Sequence, residues 1–266
     1  MNIWTQKSIE LANQRNYLDL LYKVYPMSTN LKRELSKDTL DGISKHFNER
    51  NSEKLLNLLL KQEIFPIKDS YVAYLKKDLS SIGRNPNTVE RITGMLYEMG
   101  LDEIIKKSTV PKETNRQIGP MFKEWIDKKF IGCNVVKDID DFIAYNGNVI
   151  YNASDSQMQK NAKIHFGYTR DKGIDFFAKF NDTIILSEAK FLTDFGGHQN
   201  AQFEDAISTM QSTLNPTPYK VKIISILDGV LYIDSGNKMH KSICNNFSDD
   251  EVIISSILLR DYLYSI

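Results

Sequence analysis

Through about residue 108 the apolar positions of this chain recur three and four apart. Ile9, Leu11, Ala12, Tyr17, Leu18, Leu20 and Leu21 form one stripe, and Leu55, Leu56, Leu58, Leu59 and Leu60 form another. Breaks fall at Pro26, at Pro66 and between Gly83 and Pro86. Beyond them, starting at Asn85-Pro86 or Asn87-Thr88, the spacing of Val89, Ile92, Leu96 and Met99 predicts a helix stopped by Gly100. A polar connector over 110–119 leads to a helix predicted over 120–130. Pro120 would stand at its start, where a missing N–H costs little, and Met121, Phe122, Trp125 and Ile126 supply its apolar stripe. The period then changes. β-rich runs occupy 142–151, 174–180, 183–191, 221–227 and 230–233, and a helix over about 199–214 separates two of them. Strand, helix, strand implies a crossover between parallel strands. At the end, Ser248 and Glu251 stand three apart like a capping box and predict a helix through Val252, Ile253, Ile257, Leu258 and Leu259. The fold class is α/β or α+β: a helical region over 1–109, then a mixed-sheet core with flanking helices over 110–266. The helical region either packs as a plain bundle or offers one of its helices to a binding partner.

Composition narrows this little. At 41% hydrophobic the chain of 266 residues can bury a substantial core. No apolar run approaches a membrane span, and residues 1–10 lack the basic-then-apolar pattern of a secretory leader, so a cytoplasmic protein with no membrane partner is expected. Cys133 and Cys244 have neither disulfide-framework nor zinc spacing and read as reduced thiols. A formal net charge of zero argues against a protein that coats nucleic acid, yet allows one basic cleft balanced by acids elsewhere.

Chemistry concentrates between Gly173 and Lys190. Two apolar runs flank Asn181-Asp182, a two-residue hairpin signal. If those two form the whole loop, Phe180 faces Thr183, and counting outward sets Asp175 opposite Glu188, about 5 Å apart at Cβ. Lys190, two residues beyond Glu188, falls on the same face. One face otherwise carries Phe177, Ile184 and Leu186, the other Ile174, Phe176, Ala178, Phe180, Ile185, Ala189 and Phe191. A hairpin apolar on both faces belongs in a covered sheet, where paired carboxylates repel and call for a cation. Magnesium suits two carboxylates, water and phosphate, with the Ala189 carbonyl beside it, and Lys190 would then act on phosphate charge or on the attacking water.

An acid on one strand and Glu-x-Lys on the next resembles the PD-(D/E)xK nuclease superfamily, which holds most type II restriction enzymes. Asp175, Glu188 and Lys190 match its motif, with Ile174 where proline often stands. The resemblance implies a Mg2+-dependent enzyme that hydrolyses double-stranded DNA to 5′-phosphate and 3′-hydroxyl ends. It also implies a further acid from the helix ahead of the sheet, for which Glu124 occupies the corresponding place. The stretch from Phe191 to Asn200 and Ile226-Leu-Asp-Gly229 are similar to the Dpn/Mbo group, which cuts at GATC. A palindromic target favours a homodimer. Candidate DNA contacts are Arg170 and Lys172 ahead of the acid strand, His198, Gln199 and Asn200 after Lys190, and Arg116 (with Asn115) in the connector. A repair or junction-resolving nuclease of the same superfamily, or a non-cleaving DNA-binding module, would show the same hairpin.

Overall fold

Two units divide the chain, one of Met1–Met27 with Thr114–Ile266 and the other of Ser28–Glu113. The computed structural model describes residues 1–27, 34–110 and 115–266, the side chains of 115 and 116 excepted. Ahead of the helical unit in chain order stand α1 (Ile3–Ala12) and α2 (Tyr17–Val24), which belong to the sheet unit. The helical unit itself contains α3 (Lys37–Asn48), α4 (Ser52–Leu60), α5 (Ser70–Lys77), α6 (Pro86–Met99) and α7 (Leu101–Ser108). Ile43, Leu55, Leu56, Leu59, Ile92, Leu96 and Ile104 meet in its core, so the leucine stripe and the stripe ended by Gly100 both face inward. Ser36, Asn51 and Asp69 accept the first-turn N–H groups of α3, α4 and α5.

The sheet unit continues with α8 (Asn115–Asp127), β1 (Asn134–Val136), α9 (Ile139–Ala144), β2 (Val149–Tyr151), α10 (Asp155–Phe166), β3 (Phe176–Phe180) and β4 (Thr183–Leu192). It ends with α11 (Gly197–Met210), β5 (Lys220–Gly229), α12 (Lys238–Asn245), β6 (Ile253–Ile254) and α13 (Leu259–Ser265). The six strands among the described residues lie in sequence order; β2, β3 and β4 are antiparallel neighbours, and the other pairs are parallel. The crossover from β4 through α11 to parallel β5 is the one expected from the sequence. Asn181 and Asp182 both take positive φ, 43° and 62°, so the hairpin turn has the left-handed geometry that matches strand twist. The ladder runs from Phe180↔Thr183 to Phe176↔Ser187 in the expected register. Phe176, Ala178, Phe180 and Ile185 enter one core, and Phe177, Ile184 and Leu186 enter another on the other side.

Grouping residues 1–109 together missed the attachment of α1 and α2 to the sheet. Thr5 and Ser8 of α1 accept the backbone N–H groups of Ile253 (3.2 Å) and Ser255 (3.0 Å), so a helix satisfies an otherwise open sheet edge. The Tyr25 hydroxyl donates to Asp228 Oδ2 at 2.9 Å, and Ser255 donates to Oδ1 at 2.6 Å. Burial pushes the Asp228 carboxyl up from its ordinary pKa, only partly opposed by these donors.

Four local expectations change for physical reasons. The predicted 120–130 helix begins at Asn115, with Pro120 inside it; the lost hydrogen bond is offset by burial of Ile118, Met121, Phe122, Trp125 and Ile126. In the 142–151 run only the last three residues form a strand, because the Asp138 carboxylate accepts from the N–H groups of Asp140 and Asp141 and starts α9. The 230–233 run is a single 3-10 turn over Val230–Tyr232. It follows Gly229, at φ 101°, where a Cβ would stand 2.0 Å from the Leu192 carbonyl oxygen. The Ser248 and Glu251 pair does form, with Ser248 N donating to Glu251 Oε2 at 2.8 Å, but it closes a turn. Ile253 and Ile254 beyond it are β-branched and extend along β5 instead of coiling.

Candidate active site

The hairpin delivers its acids to one place. Lys190 Nζ lies 2.7 Å from Glu188 Oε1 and 3.4 Å from Asp175 Oδ2, bridging the two carboxylates. Asp175 stands one residue before β3. Its N–H donates to Ser187 O at 3.0 Å and its Oδ2 accepts the Ala189 N–H at 2.8 Å, which pins the carboxylate against β4. Burial pushes the Asp175 carboxyl up from its ordinary pKa, against the opposing pull of Lys190 and the Ala189 N–H. For Lys190 burial acts downward, but Asp175 and Glu188 outweigh it and hold the ammonium above its ordinary pKa. The lysine therefore stays charged and occupies the position of a cation between two acids.

Glu188 is only 1% exposed and is held from behind. Thr209, on α11, donates to its Oε2 at 2.8 Å and accepts from Arg170 Nη1 at 2.9 Å. Arg170 Nη2 pairs with Asp205 Oδ1 at 2.7 Å, and Lys172 pairs with the other Asp205 oxygen while lying 3.5 Å from Glu188 Oε1. Hydrogen bonding to Asp205 raises the Lys172 pKa. Oε1 is sealed from solvent and faces the Lys190 ammonium at 2.7 Å, with Lys172 Nζ at 3.5 Å. Two neighbouring carboxylates that already hold an ammonium between them fit a divalent cation. Among the described residues no three His, Cys, Asp or Glu side chains form a metal-binding group. Asp175, Glu188 and a backbone carbonyl would then leave the remaining positions to water and phosphate, as magnesium prefers.

A cavity of about 400 Å³ opens on this cluster, with Lys123, Asp155, Asp175 and Ala189 in its wall. Asp155 and Lys123 were not singled out from the sequence. The signal for Asp155 was the Ser154 and Gln157 capping box, which fixes Asp155 at the start of α10. Gly173 makes the approach possible, since a Cβ there would come within 3.1 Å of Asp155 Cβ. Lys123 pairs with Asp155 at 2.6 Å. Glu124, expected as the helix-borne acid, is exposed, pairs with Lys128 at 2.8 Å and is absent from the cavity wall.

The expected DNA contacts divide. Arg170 and Lys172 turn to Asp205, as above, and brace Glu188. Gln199 is buried, its Oε1 accepting the Thr193 N–H at 3.2 Å. Asn200 donates to the carbonyls of Phe195 (2.8 Å) and Gly196 (3.1 Å). His198 is exposed beside Gln202, at 3.0 Å. The Arg116 side chain lies outside the described residues. Thr209 and Asp205 went unread because a Thr and an Asp four apart on a helix are ordinary surface residues until the helix packs on β4.

This bracing makes a prediction. Thr209→Val keeps the shape and removes the donor to Glu188, so divalent-metal affinity should fall about tenfold by titration calorimetry. Thr209→Ser should restore most of it. Unchanged affinity in Thr209→Val would mean that the threonine only fills space.

The chain matches, over residues 2–266, the family model described as Tsp45I type II restriction enzyme. Neither a curated protein nor a solved structure matches it. No helix among the described residues is long and apolar enough to cross a membrane.

Proposed function

We infer that this chain, which belongs to the Tsp45I type II restriction enzyme family and is a site-specific DNA endonuclease, cuts double-stranded DNA with Mg2+ held by Asp175, Glu188 and the Ala189 carbonyl. The observation that carries this reading is the Lys190 bridge between the half-buried Asp175 carboxylate and the buried Glu188 carboxylate. The set fits the PD-(D/E)xK pattern. When bound, magnesium supplies Lewis-acid stabilisation of charge on the scissile phosphate. Asp175, pinned by the Ala189 N–H, and Glu188, pinned by Thr209, would hold the metal through their remaining oxygens. Lys190, drawn off the carboxylates, donates to a phosphate oxygen or holds the attacking water. Water oxygen bonds to phosphorus, the bond to the 3′ oxygen breaks, and that oxygen takes a proton. The products are 5′-phosphate and 3′-hydroxyl ends. A cytoplasmic homodimer would cut both strands of a palindromic site.

Digestion of a sequenced plasmid tests the reading. Discrete fragments ending at one short recurring sequence are expected with Mg2+, GATC being the first candidate from the Dpn/Mbo resemblance. Each wrong base pair should cost about 1–3 kcal/mol, enough for sharp bands. A smear, or cutting only at branched DNA, would defeat it; ends at another sequence would remove GATC alone.

A further inference from the structure

Within the helical unit, α5 sets Tyr71 and Tyr74 three residues apart, and both are conspicuously exposed, at 63% and 62%. Large amphipathic rings left in water side by side mark a contact surface rather than a packed one. They wall a concavity of about 420 Å³ with Leu75, Arg84, Asn85 and Thr88. Every polar side chain in that wall can donate a hydrogen bond, and no acid is among them. The flanks are basic as well. The Arg91 guanidinium stacks over the Tyr71 ring at 5.4 Å, and Lys68 and Lys77 are exposed with no ion pair among the described residues. Arg84 and Arg91 each pair with one carboxylate, Asp78 at 2.5 Å and Asp69 at 2.6 Å, yet both arginines remain open to solvent. Donors, stacking rings and uncancelled lysines are complementary to a polyanion, and DNA is the polyanion this family acts on.

We propose that the helical unit carries its own DNA contact, in which Arg84, Tyr71 and Tyr74 engage backbone phosphates and sugars of the duplex. The contact supplies affinity and position but reads no bases, because phosphates are the same at every sequence. It rests on DNA being the substrate and not on the hairpin assignment. The exchange is simple for Arg84: a phosphate oxygen replaces the Asp78 carboxylate, an exposed pair that is worth little to the fold.

The test uses the full chain and a labelled duplex in chelator, with the duplex checked on a gel to be intact and anisotropy read across a range of salt. Arg84→Ala should weaken binding about fivefold on every duplex and lower the salt slope by about one. Arg84→Lys should recover the slope. Replacing both tyrosines by alanine should weaken binding by a similar factor and leave the slope unchanged. Lys45→Ala, an exposed cation of α3 outside the concavity wall, should do neither. Melting curves that match wild type exclude misfolding as the cause. Unchanged affinity in the Arg84→Ala and double-tyrosine variants would overturn the proposal, and so would a loss confined to one base sequence. Failure of the hairpin reading would appear elsewhere, as cleavage that survives Lys190→Ala.

Discussion

Lys190→Ala should lower the cleavage rate on the order of 10³-fold or more while leaving DNA affinity within a few fold. The side chain is half-buried and engaged between Asp175 and Glu188, so its loss falls on the reacting groups. The same substitution removes the cation that neutralises the two acids. The metal-free variant should therefore melt below wild type, and a divalent ion should stabilise it more than it stabilises wild type, since no ammonium competes for Glu188 Oε1. Single-turnover cleavage and paired melting curves, with and without Ca2+, measure both effects. Full activity in Lys190→Ala would remove Lys190 from the reaction.

Withdrawal of metal should have an effect as large. In chelator, cleavage should stop; Mg2+ should restore it, and Ca2+ should support binding with little cutting because its coordination is looser. A metal that binds only the folded chain, at a hundredfold over its Kd, should stabilise it by about 2.7 kcal/mol. Removing a carboxylate through Asp175→Ala should abolish both the cleavage and that shift. The pH dependence follows from Asp175, whose folded pKa is raised by burial. A raised carboxyl stabilises the fold below its unfolded pKa, and that contribution disappears as pH climbs through the folded value. Metal-free protein should thus lose stability from the ordinary aspartate range upward. Divalent metal, which binds the ionised form, should gain affinity over the same interval. Cutting that persists in chelator would sink the metal assignment.

By itself the sequence determined the hairpin and what it carries. A two-residue Asn-Asp loop fixes register, a period of two fixes faces, and together they set Asp175, Glu188 and Lys190 at one end of a doubly covered sheet. Helical stripes and the β4–α11–β5 crossover were legible for the same reason: they depend on local periodicity. What surrounds the acids depended on contacts far apart in the chain. Thr209, Asp205, Asp155 and Lys123 lie on helices whose packing decides which face meets the site, and Glu124 was one residue away from the side that does. The pairing of Arg170 and Lys172 with Asp205 was likewise invisible in the sequence, since that carboxylate stands 35 and 33 residues later. The attachment of α1 and α2 was hidden too, since the sheet edge and the buried Asp228 that hold them lie more than two hundred residues away. Tertiary structure decided these matters because a buried polar group must find a partner, and only the folded chain determines which partner is near.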